Sequence, residues 1–136
     1  MSDGHTYMYV TVRYVHNLSR CEFINIGIIM WLPDQQQILY KFHRGTERAR
    51  AFFRTLDPDN LLSLIDGIES RCKEAKDRLS KYGRFKGHAG TPQYLPEITA
   101  QILANGDATV HRSEYGVGTV ADPKARLDKL CEEMCG

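Results

Sequence analysis

The chain has 136 residues, with 18 basic and 17 acidic side chains and a formal charge of +1. That length suffices to bury one hydrophobic core and leaves little for a second, so residues 1–136 are read as a single domain. The near-neutral charge excludes global electrostatic capture by nucleic acid or an anionic membrane, and leaves such binding to a local patch.

No apolar run reaches the roughly 20 residues that a membrane helix needs, and the first residues, Met1 to His5, lack a basic segment followed by an apolar one. A cytoplasmic protein with no membrane attachment is therefore expected. Cys21, Cys72, Cys131 and Cys135 lack the density and spacing of a disulfide scaffold. Free thiols are expected, with Cys72 and Cys131 on apolar helix faces.

Residues 6–15 are rich in β-branched and aromatic types, which predicts a first strand with Met8, Val10, Val12 and Tyr14 on one face and Arg13 on the other. The short link from His16 to Cys21 predicts a hairpin-like return. Glu22 to Trp31 is apolar on both faces and so reads as a central strand, yet it carries Glu22, Asn25 and Gly27. Pro33-Asp34-Gln35-Gln36 is turn chemistry, and a third strand over Gln37 to His43 completes an antiparallel meander.

From Thr46 the period becomes helical, with Ala49, Phe52, Phe53 and Leu56 on one side. Asp57-Pro58 supplies an N-cap and a first-position proline for the longest helix, whose apolar stripe runs to about residue 80. The glycine-rich stretch 81–93 reads as an exposed loop. Pro96 to Ala104 fits a short helix ended by Asn105-Gly106, with a strand as the alternative there, and a fourth strand from Ala108 to about Glu114 follows that Gly116 and Gly118 are expected to end. Asp122-Pro123 repeats the capping device before a last helix carrying Leu127, Leu130, Cys131 and Met134.

Three constellations could carry chemistry. Arg13, Glu22 and Asn25 stand near the strand pairing, but residues an odd number apart face opposite sides of a regular strand. Glu22 and Asn25 would therefore share a site only through a bulge near Gly27. The structural expectation is a cross-strand ion pair of Arg13 with Glu22, with Asn25 bonding a neighbouring loop. Gly27 itself is more simply explained by close packing than by a ligand.

Arg78, Lys81, Tyr82, Arg84, Phe85 and Lys86 interleave cations with rings, a pattern suited to phosphates and unstacked bases but also to a solvated loop. Arg44, Arg48, Arg50 and Arg54 would add to it only by meeting the same surface. Cys131 and Cys135 lie four apart with His111 elsewhere, too little for a zinc site, and no nucleophile-elbow, phosphate-loop or zincin motif occurs. No cofactor is expected.

Arg13-Tyr14-Val15, the run Cys21 to Ile28, Ser113-Glu114, Gly118-Thr119, Asp122-Pro123 and Leu127 with Leu130 together resemble a bacterial family catalogued as domain of unknown function 3037. The ordered set spans nearly the whole chain. It departs from the family pattern at Cys21, where glycine is usual, and at Arg126, where an acidic residue is usual. The resemblance implies no established chemistry. Members often lie beside genes for HipA-like kinases, which implies an accessory role toward a protein partner.

The expected fold is α+β, a single domain of about four mostly antiparallel strands with helices packed mainly on one face. The expected function is a non-enzymatic protein-binding accessory or regulatory module, monomeric or homodimeric. Its partner would be a HipA-like kinase or, for a phage or mobile element, a host-defence protein. Arg13, Glu22, Asn25 and Glu114 are its candidate protein- or ligand-binding residues. The alternative is a nucleic-acid-binding or phosphoester-cleaving protein using the loop around 78–88, with Glu22 or Glu114 as a carboxylate.

Overall fold

A computed structural model describes residues 4–17, 19–82, 94–103 and 110–135. The β-branched and aromatic N-terminal run forms β1 (His5–Asn17), and the apolar run forms β2 (Glu22–Leu32). With β3 (Gln37–Phe42) they make the expected antiparallel meander. The second hairpin closes where the Gln36 N–H donates to the Pro33 carbonyl at 3.3 Å, with Gln36 at φ 52°. The first turns through Cys21 at φ 56°, in the left-handed region.

Period-2 alternation then assigns the two faces. Val10, Val12, Ile29, Trp31, Ile38 and Phe42 form one core with apolar residues of α2 (Pro58–Tyr82) and α3 (Tyr94–Ile102). Tyr7, Ile28, Met30 and Leu32 form another with Leu127, Leu130, Cys131 and Cys135 of α4 (Pro123–Cys135). Because both faces are covered, β2 is apolar along nearly its whole length, as strands buried on two sides are.

Capping follows the sequence. Asp57 Oδ1 accepts the Asp59 N–H at 3.0 Å at the start of α2, and Asp122 Oδ1 accepts the Ala125 N–H at 3.2 Å at the start of α4. The short α1 (Glu47–Phe52) is fastened to β1 through His16. That ring stacks on Phe53 at 4.5 Å and hydrogen-bonds Tyr14 and Thr55.

The fold class is α+β, an open antiparallel sheet of order β3-β2-β1-β4 with helices on it. One boundary differs from expectation. Gly116 does not end strand structure: β4 (Val110–Arg112) pairs with the second half of β1, and β5 (Gly116–Val120) pairs with the first half. The glycines sit inside β5 because the Tyr9 and Tyr7 rings lie across Gly116 and Gly118, where a Cβ would come within 2.3 and 2.4 Å of them. Residues 83–93 of the expected loop and residue 104 of the expected short helix lie outside the described residues. No helix among the described residues is long and apolar enough to cross a membrane.

Candidate functional site

The site is made by two irregularities on opposite sides of β1. Toward β2, Val12 pairs with Gly27 but Arg13 pairs with Asn25, so Ile26 is an extra residue in β2. Such a bulge resets the alternation of its strand. Ile26 therefore joins the core under α2, and Asn25 is carried to the α4 face beside Arg13.

Toward the other edge, Val12 pairs with Arg112 and Tyr9 with Gly116, leaving residues 113–115 to span Val10 and Thr11. Ser113 repairs the interrupted ladder. Its N–H donates to the Thr11 carbonyl at 2.9 Å, and its Oγ accepts the Thr11 N–H at 2.8 Å. The same hydroxyl donates to the Glu114 carbonyl at 2.8 Å, which holds the β4–β5 link as a wall.

Between that wall and the last turn of α4 lies an open cleft of about 360 Å³. Tyr9, Thr11 and Arg13, alternate residues of β1, line it together with Asn25, residues 113–116 and Met134. Asn25 spends its amide N–H on the Met134 carbonyl at 3.1 Å. Its Oδ1, Thr11 Oγ1 and Arg13 Nε are buried without a hydrogen-bond partner. Thr11 is only 4% exposed.

The Arg13 guanidinium lies 4.4 Å over the Phe23 ring and makes no ion pair among the described residues. Arg13 Nε can donate and Asn25 Oδ1 can accept, and the two residues are partners across the ladder. The arrangement suits a group that carries an acceptor and a donor side by side.

Three of the sequence candidates, Arg13, Asn25 and Glu114, thus border one cleft, and Glu22 does not. Glu22 pairs across the sheet with Asn17, four residues beyond Arg13, about 13 Å along an extended strand. The expected Arg13–Glu22 ion pair is therefore not formed. Glu22 instead stands 3.9 Å from Arg20 at the surface, a contact worth little. Asn25 bonds the end of α4 rather than a neighbouring loop. Gly27 admits the Phe42 ring, which a Cβ would meet at 2.2 Å, so its role is packing beside the bulge.

Of the basic constellation, Arg78 is exposed on α2, and Lys81 and Tyr82 close that helix. Arg84, Phe85 and Lys86 lie outside the described residues. Arg44 is engaged by Asp66 and Glu69, whose hydrogen bonds raise its pKa further, so it is not available to a basic patch. Among the described residues no three metal-ligating side chains gather at one point.

Sequence reasoning missed Thr11, Tyr9 and Met134. Thr11 carried a usable signal, as the one short polar residue on the Tyr7-Tyr9-Thr11-Arg13 face of an otherwise bulky strand.

No curated protein and no solved structure matches the chain. A family model does, over residues 9–135, and its span takes in every residue that lines the cleft. The chain belongs to that family, described as protein of unknown function (DUF3037).

Proposed function

We propose that the protein is a non-enzymatic binding module that holds a polar segment of another protein in the cleft beside β1. The observation that carries this reading is that Thr11, Arg13 and Asn25, each with a buried polar atom left unpartnered, line one opening. Each buried polar group left unsatisfied costs about 1–3 kcal/mol, so a partner that satisfies all three gains affinity from atoms already in place. A peptide group or a side-chain carboxamide presents its C=O beside its N–H, matching Arg13 Nε and Asn25 Oδ1. Glu114, exposed on the opposite wall, favours a segment with a neighbouring cation.

A HipA-like kinase is the partner class that the family resemblance suggests, and a host-defence protein is the counterpart for a mobile element. The test is an affinity pull-down of tagged protein from its native cells, read by mass spectrometry. Arg13→Gln and Glu114→Ala should each lose a stoichiometric protein that Glu22→Ala retains, with folding of every variant checked by circular dichroism. Retention of that protein by both cleft variants would overturn the reading. Recovery of nucleic acid alone, abolished by neutralising Lys81, Arg84 and Lys86 and weakened by salt, would replace it with the nucleic-acid alternative.

A further inference from the structure

Away from the cleft, the buried face of α4 carries a thiol pair. Cys131 and Cys135 lie one helical turn apart, 4% and 2% exposed. Both belong to the apolar cluster that packs α4 on the sheet. The Cys131 thiol donates to the Lys41 carbonyl at 3.9 Å, and Cys131 lines a second opening of about 390 Å³ with Lys41, Phe42, His43, Arg44, Asp128 and Glu132. A small solute that enters this opening meets Cys131 and not Cys135 among its lining residues.

The two sulfurs are not equivalent. The hydrogen bond from Cys135, assisted by the Lys41 ammonium, draws Cys131 below the ordinary thiol pKa against the opposing effects of burial and Asp128. Donating that same hydrogen bond holds Cys135 in its protonated form, and burial adds to this. Cys72, by contrast, is pushed up to about 12 in the other core by burial, with Glu69 adding to the effect and Arg71 opposing it.

We infer that Cys131 is a site of oxidation by hydroperoxides and that Cys135 resolves it to a disulfide. In the first step the Cys131 thiolate attacks a peroxide oxygen; the S–O bond forms, the O–O bond breaks, and the leaving hydroxide or alkoxide takes a proton from water. In the second, Cys135 sulfur attacks the Cys131 sulfenic sulfur; the S–S bond forms, the S–O bond breaks, and the departing oxygen leaves as water with the Cys135 proton. The peroxide is reduced and the two thiols are oxidised, with two electrons transferred.

Helix geometry makes the second step a conformational one. Residues four apart on a helix keep their Cβ atoms about 5–6 Å apart, whereas a disulfide needs roughly 3.5–4.5 Å. The last turn of α4 must distort to close the bond. Met134 lies in that turn, and its carbonyl is the acceptor for Asn25. Oxidation thus loosens one wall of the cleft beside β1. The thiol chemistry stands without the binding reading above, and only its effect on a bound partner rests on that reading.

The test is treatment of the intact protein with hydrogen peroxide at pH 7.5, followed by thiol blocking and peptide mass spectrometry. Expected is a peptide from α4 lacking two hydrogens, formed about tenfold faster than exposed Cys21 is oxidised, while Cys72 stays reduced. In Cys135→Ser the disulfide is absent, and dimedone traps a sulfenic acid on Cys131 instead. Oxidation of Cys21 ahead of Cys131, or a Cys131 that remains reduced with Cys72, would overturn the inference. Loss of a partner on oxidation is a separate readout, and its failure would leave the thiol chemistry standing.

Discussion

The Asn25 side-chain amide donates to the Met134 carbonyl at 3.1 Å, so a single hydrogen bond ties the β2 bulge to the last turn of α4. These residues are 109 apart in the chain. Replacing Asn25 by alanine removes the bond and should cost about 1–2 kcal/mol. Asn25→Asp should cost more, because a carboxylate cannot donate and stands at the negative end of a helix. Urea midpoints measure both, and an aspartate variant as stable as the alanine one would show that the helix end is not the partner that matters.

The Phe42 ring fills the space above Gly27 beside the bulge. A Cβ at Gly27 would lie 2.2 Å from the Phe42 ring, so Gly27→Ala should destabilise by about 1–3 kcal/mol through overpacking. Phe42→Leu in the same chain should return part of that loss. A double variant whose cost equals the sum of the single ones would show that the ring is not what excludes the methyl group.

Cys21 occupies the left-handed region at φ 56°, a conformation that favours glycine. A side chain there strains the turn by about 1 kcal/mol, part of which glycine returns as extra entropy of the unfolded chain. Cys21→Gly should raise stability by about 0.5 kcal/mol, and Cys21→Ala should leave it nearly unchanged. Thermal melts of the three proteins under reducing conditions decide the matter.

Burial raises Cys72 from the ordinary thiol value of 9.0 to about 12. An unfolded chain gives up this proton near pH 9 while the folded one keeps it, so the folded state binds more protons in that window. The contribution is fully present below pH 9 and is lost as pH rises toward 12. Unfolding measured from pH 8 to 11 should show a decline that Cys72→Ala makes shallower. Native protein at pH 8 should also exclude iodoacetamide from Cys72, and ready alkylation there would contradict its burial.

Much of the architecture is legible in the residues themselves, because local rules act over a few positions. The alternation Met8, Val10, Val12, Tyr14 gives β1 its faces, and Asp57-Pro58 and Asp122-Pro123 mark where α2 and α4 begin. The absence of polar alternation in β2 announces that both its faces are covered. Gly116 and Gly118 were harder, since a glycine that ends a strand and one that yields to a cross-strand tyrosine look alike until the partner is known.

The cleft is a different matter. Arg13, Asn25 and Glu114 can be singled out by type, but regular alternation puts Arg13 opposite a different part of β2 and leaves Glu22 as its natural counter-ion. Only the pairing of β1 with β2 places the extra residue at Ile26, and only the return of the chain some hundred residues later sets Ser113 against Thr11. Register is a property of two strands together, fixed by how the cores on both faces close. The sequence alone determined most of the elements and the family, while tertiary structure decided the β5 pairing and which polar atoms meet, because one extra residue in a strand reverses every side chain beyond it.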